Sequence, residues 1–166
     1  MADANARLVE ANSWPFLGYG TGNAGGPDGS AVEMRITNDG VGPAKIETAE
    51  LRWNGEPMRN AVEFLKSCCG YQDSQANGLW IDLITGRVLR AGETITFITL
   101  PRTARDLAAW KALNAARLSP RLNLDVCYCS VFDECWREDV LRMSLKPHQV
   151  GYCTTPAVSF GSPEFR

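Results

Sequence analysis

Short runs in which every second residue is apolar dominate the middle of this sequence. Residues 31–37, 94–100 and 121–131 each follow this pattern, and turn-forming residues such as those of Asn38-Asp-Gly40 separate the runs. A period of two residues is typical of a strand with one buried face. The order of the runs shows no regular alternation of strands and helices, so the chain predicts a mainly β protein built as an antiparallel sandwich.

Two segments break this pattern with helical spacing. Apolar residues recur at helical intervals through 56–66, where Pro57 suits a first helical turn. The second segment, 103–118, begins with Thr103 three residues before Asp106, a variant of the capping box. We therefore expect two short helices inserted between the strands.

The division of the chain follows from composition. Residues 1–30 predict an N-terminal arm and a Gly-rich loop, residues 31–146 the β-sandwich domain, and residues 147–166 a C-terminal tail. Within the first part, Gly20-Thr-Gly-Asn-Ala-Gly25 has the spacing of a nucleotide-binding motif. No strand is predicted before it and no helix after it, so we interpret it as part of a flexible loop over residues 18–30.

Composition and charge exclude several classes of protein. The chain has 166 residues, of which 45% are hydrophobic and 22% are charged, as expected for one globular domain. Seventeen basic and nineteen acidic side chains give a net charge of −2 without long runs of one sign, which disfavours nucleic-acid binding. Residues 1–7 lack the basic and apolar regions of a signal peptide, and no stretch approaches the roughly 20 apolar residues of a membrane span.

The cysteines carry most of the chemical content. Their even number favours a set of structural disulfides and an oxidising compartment; reduced or metal-bound thiols in the cytosol are the alternative. The disulfide candidates are Cys68, Cys69, Cys127, Cys129, Cys135 and Cys153.

Strand geometry suggests which cysteines meet. Cys127 and Cys129 are two residues apart in a predicted strand and should point to the same face. We expect Cys68 or Cys69 to join one of them, since a bridge between the adjacent pair is strained. The alternative is a thiolate site for zinc or copper made of Cys68, Cys69, Cys127 and Cys129. Redox catalysis is less favoured because the chain has no Cys-x-x-Cys pair.

The remaining candidates for a site carry weaker signals. His148 offers the one imidazole, but it lies in the predicted tail without a nucleophile motif, so we interpret it as a surface residue. Phe132-Asp-Glu-Cys135 predicts the tight turn of a β-hairpin. Acidic residues near this hairpin could hold calcium, although solvation is the usual role of acids at a turn. These acids are Asp133, Glu134, Glu138 and Asp139. If exposed, Trp14 or Trp136 would mark a contact surface for protein or sugar.

Four motifs carry a resemblance to a known group of proteins. They are Ile36-Thr-Asn-Asp-Gly-Val-Gly-Pro-Ala-Lys-Ile46, Arg52-Trp-Asn-Gly-Glu56, Val88-Leu-Arg-Ala-Gly-Glu-Thr-Ile95 and Tyr128-Cys-Ser-Val-Phe-Asp-Glu-Cys-Trp136. Over residues 7–145 the chain resembles uncharacterised bacterial proteins with a short N-terminal membrane anchor. The resemblance implies an immunoglobulin-like β-sandwich outside the cytoplasmic membrane. It implies contact with a membrane only through an N-terminal anchor.

The sequence therefore predicts a non-catalytic, extracytoplasmic interaction or structural module stabilised by disulfides. It predicts a protein as partner, no nucleic acid, no cofactor and no catalytic residue. Thiolate binding of zinc or copper is the alternative. A small hydrolase or redox enzyme is a third hypothesis, which requires a pocket where His148 or a cysteine meets an acidic partner.

Overall fold

In its described residues the chain forms two antiparallel β-sheets and three α-helices. A computed structural model describes residues 1–72, 78–142 and 144–161. The helices are α1 (Ala2–Ala11), α2 (Ala61–Cys69) and α3 (Leu107–Ala116), with a short 3-10 turn at Val140–Arg142. The strands are β1 (Leu17–Gly25), β2 (Ala31–Asn38), β3 (Ala44–Trp53), β4 (Glu56–Met58), β5 (Trp80–Ile81), β6 (Val88–Leu89), β7 (Thr94–Leu100), β8 (Leu122–Cys129), β9 (Cys135–Asp139) and β10 (His148–Val150).

The strands are divided between a smaller and a larger sheet. The first sheet has the order β1-β2-β7-β5, and the second has the order β10-β9-β8-β3-β4, with β6 also paired to β3. Every pairing is antiparallel, which confirms the prediction of a mainly β, antiparallel protein. Among the described residues, no helix is both long and apolar enough to cross a membrane.

One hydrophobic core joins the two sheets to α2 and α3. Alternate residues of β2 and β8 are buried, as their period of two predicts. In β7 the alternation shifts by one residue, since Phe97 and Ile98 are both buried. Phe64 and Leu65 of α2 and Leu113 of α3 belong to the same buried cluster as these strands. The core therefore lies between elements that are distant in sequence, which is typical of an antiparallel β protein.

The Gly-rich segment is a strand for most of its length, so the prediction of a loop over 18–30 is wrong for β1. Gly18 and Gly20 pair with residues of β2, and the register shifts between Gly22 and Gly25. A Cβ atom at Gly18 would lie 2.9 Å from a carboxylate oxygen of Asp39. At Gly25 a Cβ atom would lie 2.2 Å from the side chain of Glu33, so this glycine makes room for a long side chain of the neighbouring strand.

The helices differ from prediction in number and position. The predicted helix 56–66 is strand β4 followed by α2, which begins later because Asn60 caps it by accepting a hydrogen bond from the Glu63 amide. The predicted helix 103–118 is shorter at both ends and corresponds to α3. Helix α1 was not predicted, and none of its residues is buried.

The sheets extend beyond the predicted domain boundaries on both sides. Strand β1 precedes residue 31, and β10 follows residue 146 and pairs with β9. Phe160 is buried, and its amide donates to the carbonyl of Ala49 in β3. The first part of the predicted tail is therefore joined to the larger sheet, whereas residues 162–166 lie outside the described residues.

A buried amide side chain connects the two sheets at one end. Asn38, at the end of β2, is fully buried, and its Oδ1 accepts hydrogen bonds from the amides of Phe16 and Gly40. Its Nδ2 donates to the carbonyls of Gly42 and of Leu89 in β6, which belongs to the second sheet. All four contacts are with backbone, so this side chain fixes where three segments of chain meet.

Replacing this amide by a carboxylate should destabilise the fold strongly. Asn38→Asp keeps the shape of the side chain but loses both donated hydrogen bonds and places a carboxylate against two carbonyl oxygens. We expect a loss of about 3 kcal/mol in the free energy of unfolding measured by urea denaturation. The control is Thr37→Ala, which removes an exposed hydroxyl contact with Thr94 and should cost about 0.5 kcal/mol or less. Equal losses in the two variants would contradict this role of Asn38.

Candidate functional site: the cysteines of strand β8

Strand β8 presents two faces of different chemistry. Leu124, Val126 and Tyr128 point into the core and are fully buried. Cys127 and Cys129 lie at the alternate positions, are each only 3% exposed and do not belong to the core cluster. Because side chains alternate along a strand, both thiols lie on the face of the larger sheet that points away from the core.

Cys129 is bonded to Cys135 across the hairpin between β8 and β9. The two residues occupy directly opposite positions, and their Cα atoms are 4.0 Å apart. Ser130 and Glu134 close the turn with a backbone hydrogen bond, and Asp133 within it has a positive φ of 59°. The tight turn predicted near Cys135 is therefore confirmed, and it brings the two sulfur atoms together.

Cys127 is bonded to Cys153, which is 26 residues later in the chain. The Cα atoms are 5.7 Å apart, within the usual range for a disulfide. Strand β10 pairs with β9 and leads the chain towards Cys153. The bridge therefore attaches the C-terminal segment to the outer face of the larger sheet.

The two bridges lie against each other. The Sγ atoms of Cys129 and Cys153, which belong to different disulfides, are 3.8 Å apart. The Sγ atoms of Cys129, Cys135 and Cys153 all lie within 4.8 Å of one another. We call Cys127, Cys129, Cys135 and Cys153 the sulfur cluster.

A shallow cleft opens beside the sulfur cluster. Glu47, Asp133, Gly151 and Tyr152 line it together with three of the cysteines. Asp133 forms an ion pair with Lys45 of β3, and Tyr152 is 76% exposed. Of the four cysteines, Cys153 alone is partly exposed rather than buried. Solvent therefore has its best access to the cluster at Cys153.

Cys68 and Cys69 are bonded to each other, so the expected bridge from this pair to Cys127 or Cys129 is wrong. Cys69 is part of the core, and Cys68 packs against it at the C-terminal end of α2. Cys127 and Cys129 point away from the core on β8. The larger sheet thus separates the two sets of thiols, which leaves the adjacent pair to bond with itself.

The same separation overturns the predicted four-sulfur metal site. Cys68 and Cys69 do not join Cys127 and Cys129 in any group of metal-ligating side chains. Across the described residues, the one group of three or more such side chains is Cys129, Cys135 and Cys153. Sequence spacing did not suggest this set because Cys153 reaches the others only through the pairing of β10.

The other predicted candidates lie apart from one another. His148 is exposed in β10, as expected of a surface residue. The acids near the hairpin have separate partners and form no cation group in the described chain. Asp133 pairs with Lys45, Asp139 accepts hydrogen bonds from Asn123 and the Leu124 amide, and Glu134 bonds through its backbone in the turn.

Glu138, which the sequence suggested as a solvated acid near the hairpin, is a buried titratable group. It shares a face with Trp136 and lies opposite Val126, so it points towards the core, and Tyr128 donates a hydrogen bond to its Oε1 at 3.1 Å. The pKa of Glu138 is raised to about 7, mainly by burial; the hydrogen bond from Tyr128 lowers it, and the nearby Asp139 raises it by a smaller amount. Its spacing of two residues from Trp136 was the signal that could have placed both side chains on the same face of the strand.

Comparison with known proteins adds no relative. No family model matches this chain, and neither the curated proteins nor the solved structures contain a significant match.

Removing the long-range bridge should destabilise the protein more than removing the adjacent one. The loop closed by Cys127 and Cys153 is worth about 3.5 kcal/mol in the chain-entropy description, whereas a bridge between neighbours closes almost no loop and is worth about 1 kcal/mol. The paired variants Cys127→Ser/Cys153→Ser and Cys68→Ser/Cys69→Ser, unfolded in urea without reductant, measure this difference. A loss that is larger for the adjacent pair would contradict it.

Glu138 should make stability fall as the pH rises. In the unfolded chain a glutamate ionises near pH 4.5, whereas in the folded chain Glu138 holds its proton up to about pH 7. The folded state therefore binds more protons between these values, and its stability declines through this window. Urea midpoints measured from pH 4 to pH 8 should show a shallower decline in Glu138→Gln than in the wild type. An unchanged slope in this variant would contradict the assignment.

Proposed function

We propose that this chain is a non-catalytic interaction module that works outside the cytoplasmic membrane and is stabilised by disulfides. The observation that carries the proposal is the pairing of all six cysteines, which leaves no free thiol. Disulfides persist in oxidising compartments and are rare in reducing cytosol. Two of the bridges attach the hairpin and the C-terminal segment to the larger sheet, a structural use of sulfur.

The proposal includes an immunoglobulin-like β-sandwich. The order β1-β2-β7-β5 corresponds to the A-B-E-D sheet of that fold, and β9-β8-β3-β4 corresponds to its G-F-C-C′ sheet. Strand β10 is then an addition beside the G strand. The shared core of the two sheets supports the same interpretation.

The resemblance to membrane-anchored bacterial proteins supports the location. Two of its motifs contain residues that connect strands of the fold. Residues 36–46 contain Asn38 and the β2-β3 turn, and residues 128–136 form the β8-β9 hairpin. We infer that this domain has the place that such proteins give to their sandwich, in the periplasm or cell envelope and held near the membrane by an anchor.

A protein is the partner that the surface favours. Strand β5 lies at the edge of the smaller sheet, where β7 is its neighbour. Trp80 is 66% exposed there, and Ile81 and Leu83 are also exposed. An edge strand with exposed apolar side chains is suited to contact an extended segment of another protein.

A second candidate function is thiolate binding of zinc or copper in the reduced protein. The observation that favours it is the approach of the Cys129, Cys135 and Cys153 sulfurs to within 4.8 Å. Sulfur ligands at such separations suit zinc or Cu(I). The two functions exclude each other, because a sulfur atom in a disulfide is not a thiolate ligand.

Fractionation of the source cells separates the two functions. The cells are treated with an alkylating reagent at lysis, and the protein is recovered from the envelope and cytoplasmic fractions. The proposed module should be in the envelope fraction with all six cysteines protected from alkylation. Recovery from the cytoplasm with alkylated cysteines would overturn the proposal, and stoichiometric zinc or copper in that protein, prepared without chelator, would support the second candidate.

The partner surface is tested in the same extract. Size-exclusion chromatography of the native envelope extract should place the chain in a complex larger than its own 18.2 kDa. Trp80→Ser should return it to the monomer position, whereas Leu118→Ser, which changes a side chain 69% exposed elsewhere, should not. A monomer in the wild type, or equal effects of the two variants, would argue against this surface.

A further inference from the structure

The two bridges of the sulfur cluster are in contact between Cys153 and Cys129. Their Sγ atoms lie 3.8 Å apart although neither is bonded to the other. A disulfide is exchanged when a thiolate attacks one of its sulfur atoms, so the attacking sulfur must first reach contact distance. Cys153 meets this requirement at Cys129 without a change in the backbone.

The cluster is accessible from one side. Cys127 and Cys129 are 3% exposed and Cys135 is 4% exposed, whereas Cys153 is partly exposed beside the exposed residues Gly151 and Tyr152. A thiol from solution therefore reaches Cys153 before any other sulfur of the cluster. The bridge from Cys127 to Cys153 is the one it would reduce.

The segment that carries Cys153 is held on both sides independently of its disulfide. Before it, β10 is paired with β9. After it, the amides of Phe160 and Gly161 donate to the carbonyls of Ala49 and Arg59. Reduction of the bridge would therefore leave Cys153 close to Cys129, where a tethered thiol has a high effective concentration.

We propose that the two bridges form one thiol–disulfide exchange unit, in which a dithiol reacts at Cys153 and Cys153 then attacks Cys129. In the first step a dithiol reduces the bridge between Cys127 and Cys153. Two electrons and two protons pass to these cysteines, and the dithiol becomes a disulfide. This inference rests on the disulfides of the proposed function but not on its location.

The second step moves a bond without net oxidation or reduction. The Cys153 thiol loses its proton, and its sulfur forms a bond to Cys129 as the bond between Cys129 and Cys135 breaks. The electron pair leaves on Cys135, which takes up a proton. The buried Cys135 thus becomes a thiol although the dithiol never contacts it. Reduction of the bridge at Cys153 therefore produces a free thiol at Cys135 in the hairpin.

Two single variants test the exchange, because each leaves one free thiol beside the bridge between Cys129 and Cys135. Cys127→Ser frees Cys153, which lies in contact with Cys129. Cys153→Ser frees Cys127, which is two residues from Cys129 on the same strand, so their Cα atoms are separated by about 6.6 Å. The second variant is therefore the matched control.

The measurement is alkylation under non-denaturing conditions, acid quenching, and peptide mapping without reduction. Cys127→Ser should contain peptides joined through Cys129 and Cys153, with Cys135 alkylated about tenfold or more above its level in Cys153→Ser. If Cys135 is protected equally in both variants, the exchange is overturned.

Wild-type protein provides the same test should Cys127→Ser fail to fold. Treatment with less than one equivalent of dithiothreitol should give molecules with Cys129 joined to Cys153 and with Cys127 and Cys135 free. Finding the bridge between Cys129 and Cys135 intact beside free Cys127 and Cys153 would overturn the proposal. A map of untreated protein that lacks the native bridges would instead contradict the proposed function.

Discussion

The rest of the structure depends on the alternation of side chains along β8. One face of this strand contributes Leu124, Val126 and Tyr128 to the core, and the other carries Cys127 and Cys129. The strand also pairs with β3 on one side and β9 on the other. Hydrophobic burial, backbone pairing and covalent bonds therefore act on the same eight residues. A shift of register by one residue would be very costly, because it would turn the core side chains outwards and the cysteines inwards.

Much of the fold can be predicted from local sequence pattern, and the elements that were predicted wrongly have a common physical cause. The strands with buried alternate residues, such as β2 and β8, could be predicted because their signal lies within their own residues. Strand β1 could not, since its glycines reflect side chains of the neighbouring strand such as Glu33, whose carboxylate group would lie 2.2 Å from a Cβ atom at Gly25. The sequence of a strand does not show which residues of other strands lie beside it in the sheet.

The sequence predicts which face of β8 carries the cysteines of the candidate site, but it does not predict their disulfide partners. That Cys127 and Cys129 share a face follows from their spacing. Their partners depend on the position of the hairpin turn, which the sequence indicates, and on the pairing of three residues in β10, which it does not. The adjacent pair shows the limit of reasoning from conformational preference, because no other cysteine lies on the core side of the sheet to bond with it.

The separation of the two faces also determines what a change of redox state can alter. The core lies on the inner face of β8, and the residues that anchor the C-terminal segment, such as Phe160, bond to β3 rather than to the sulfur cluster. Rearranging the bridges on the outer face therefore leaves these contacts in place. Such a division allows one domain to keep its fold while the bonding of its surface sulfurs changes, since the free energy of burial and the covalent links act on opposite sides of one sheet.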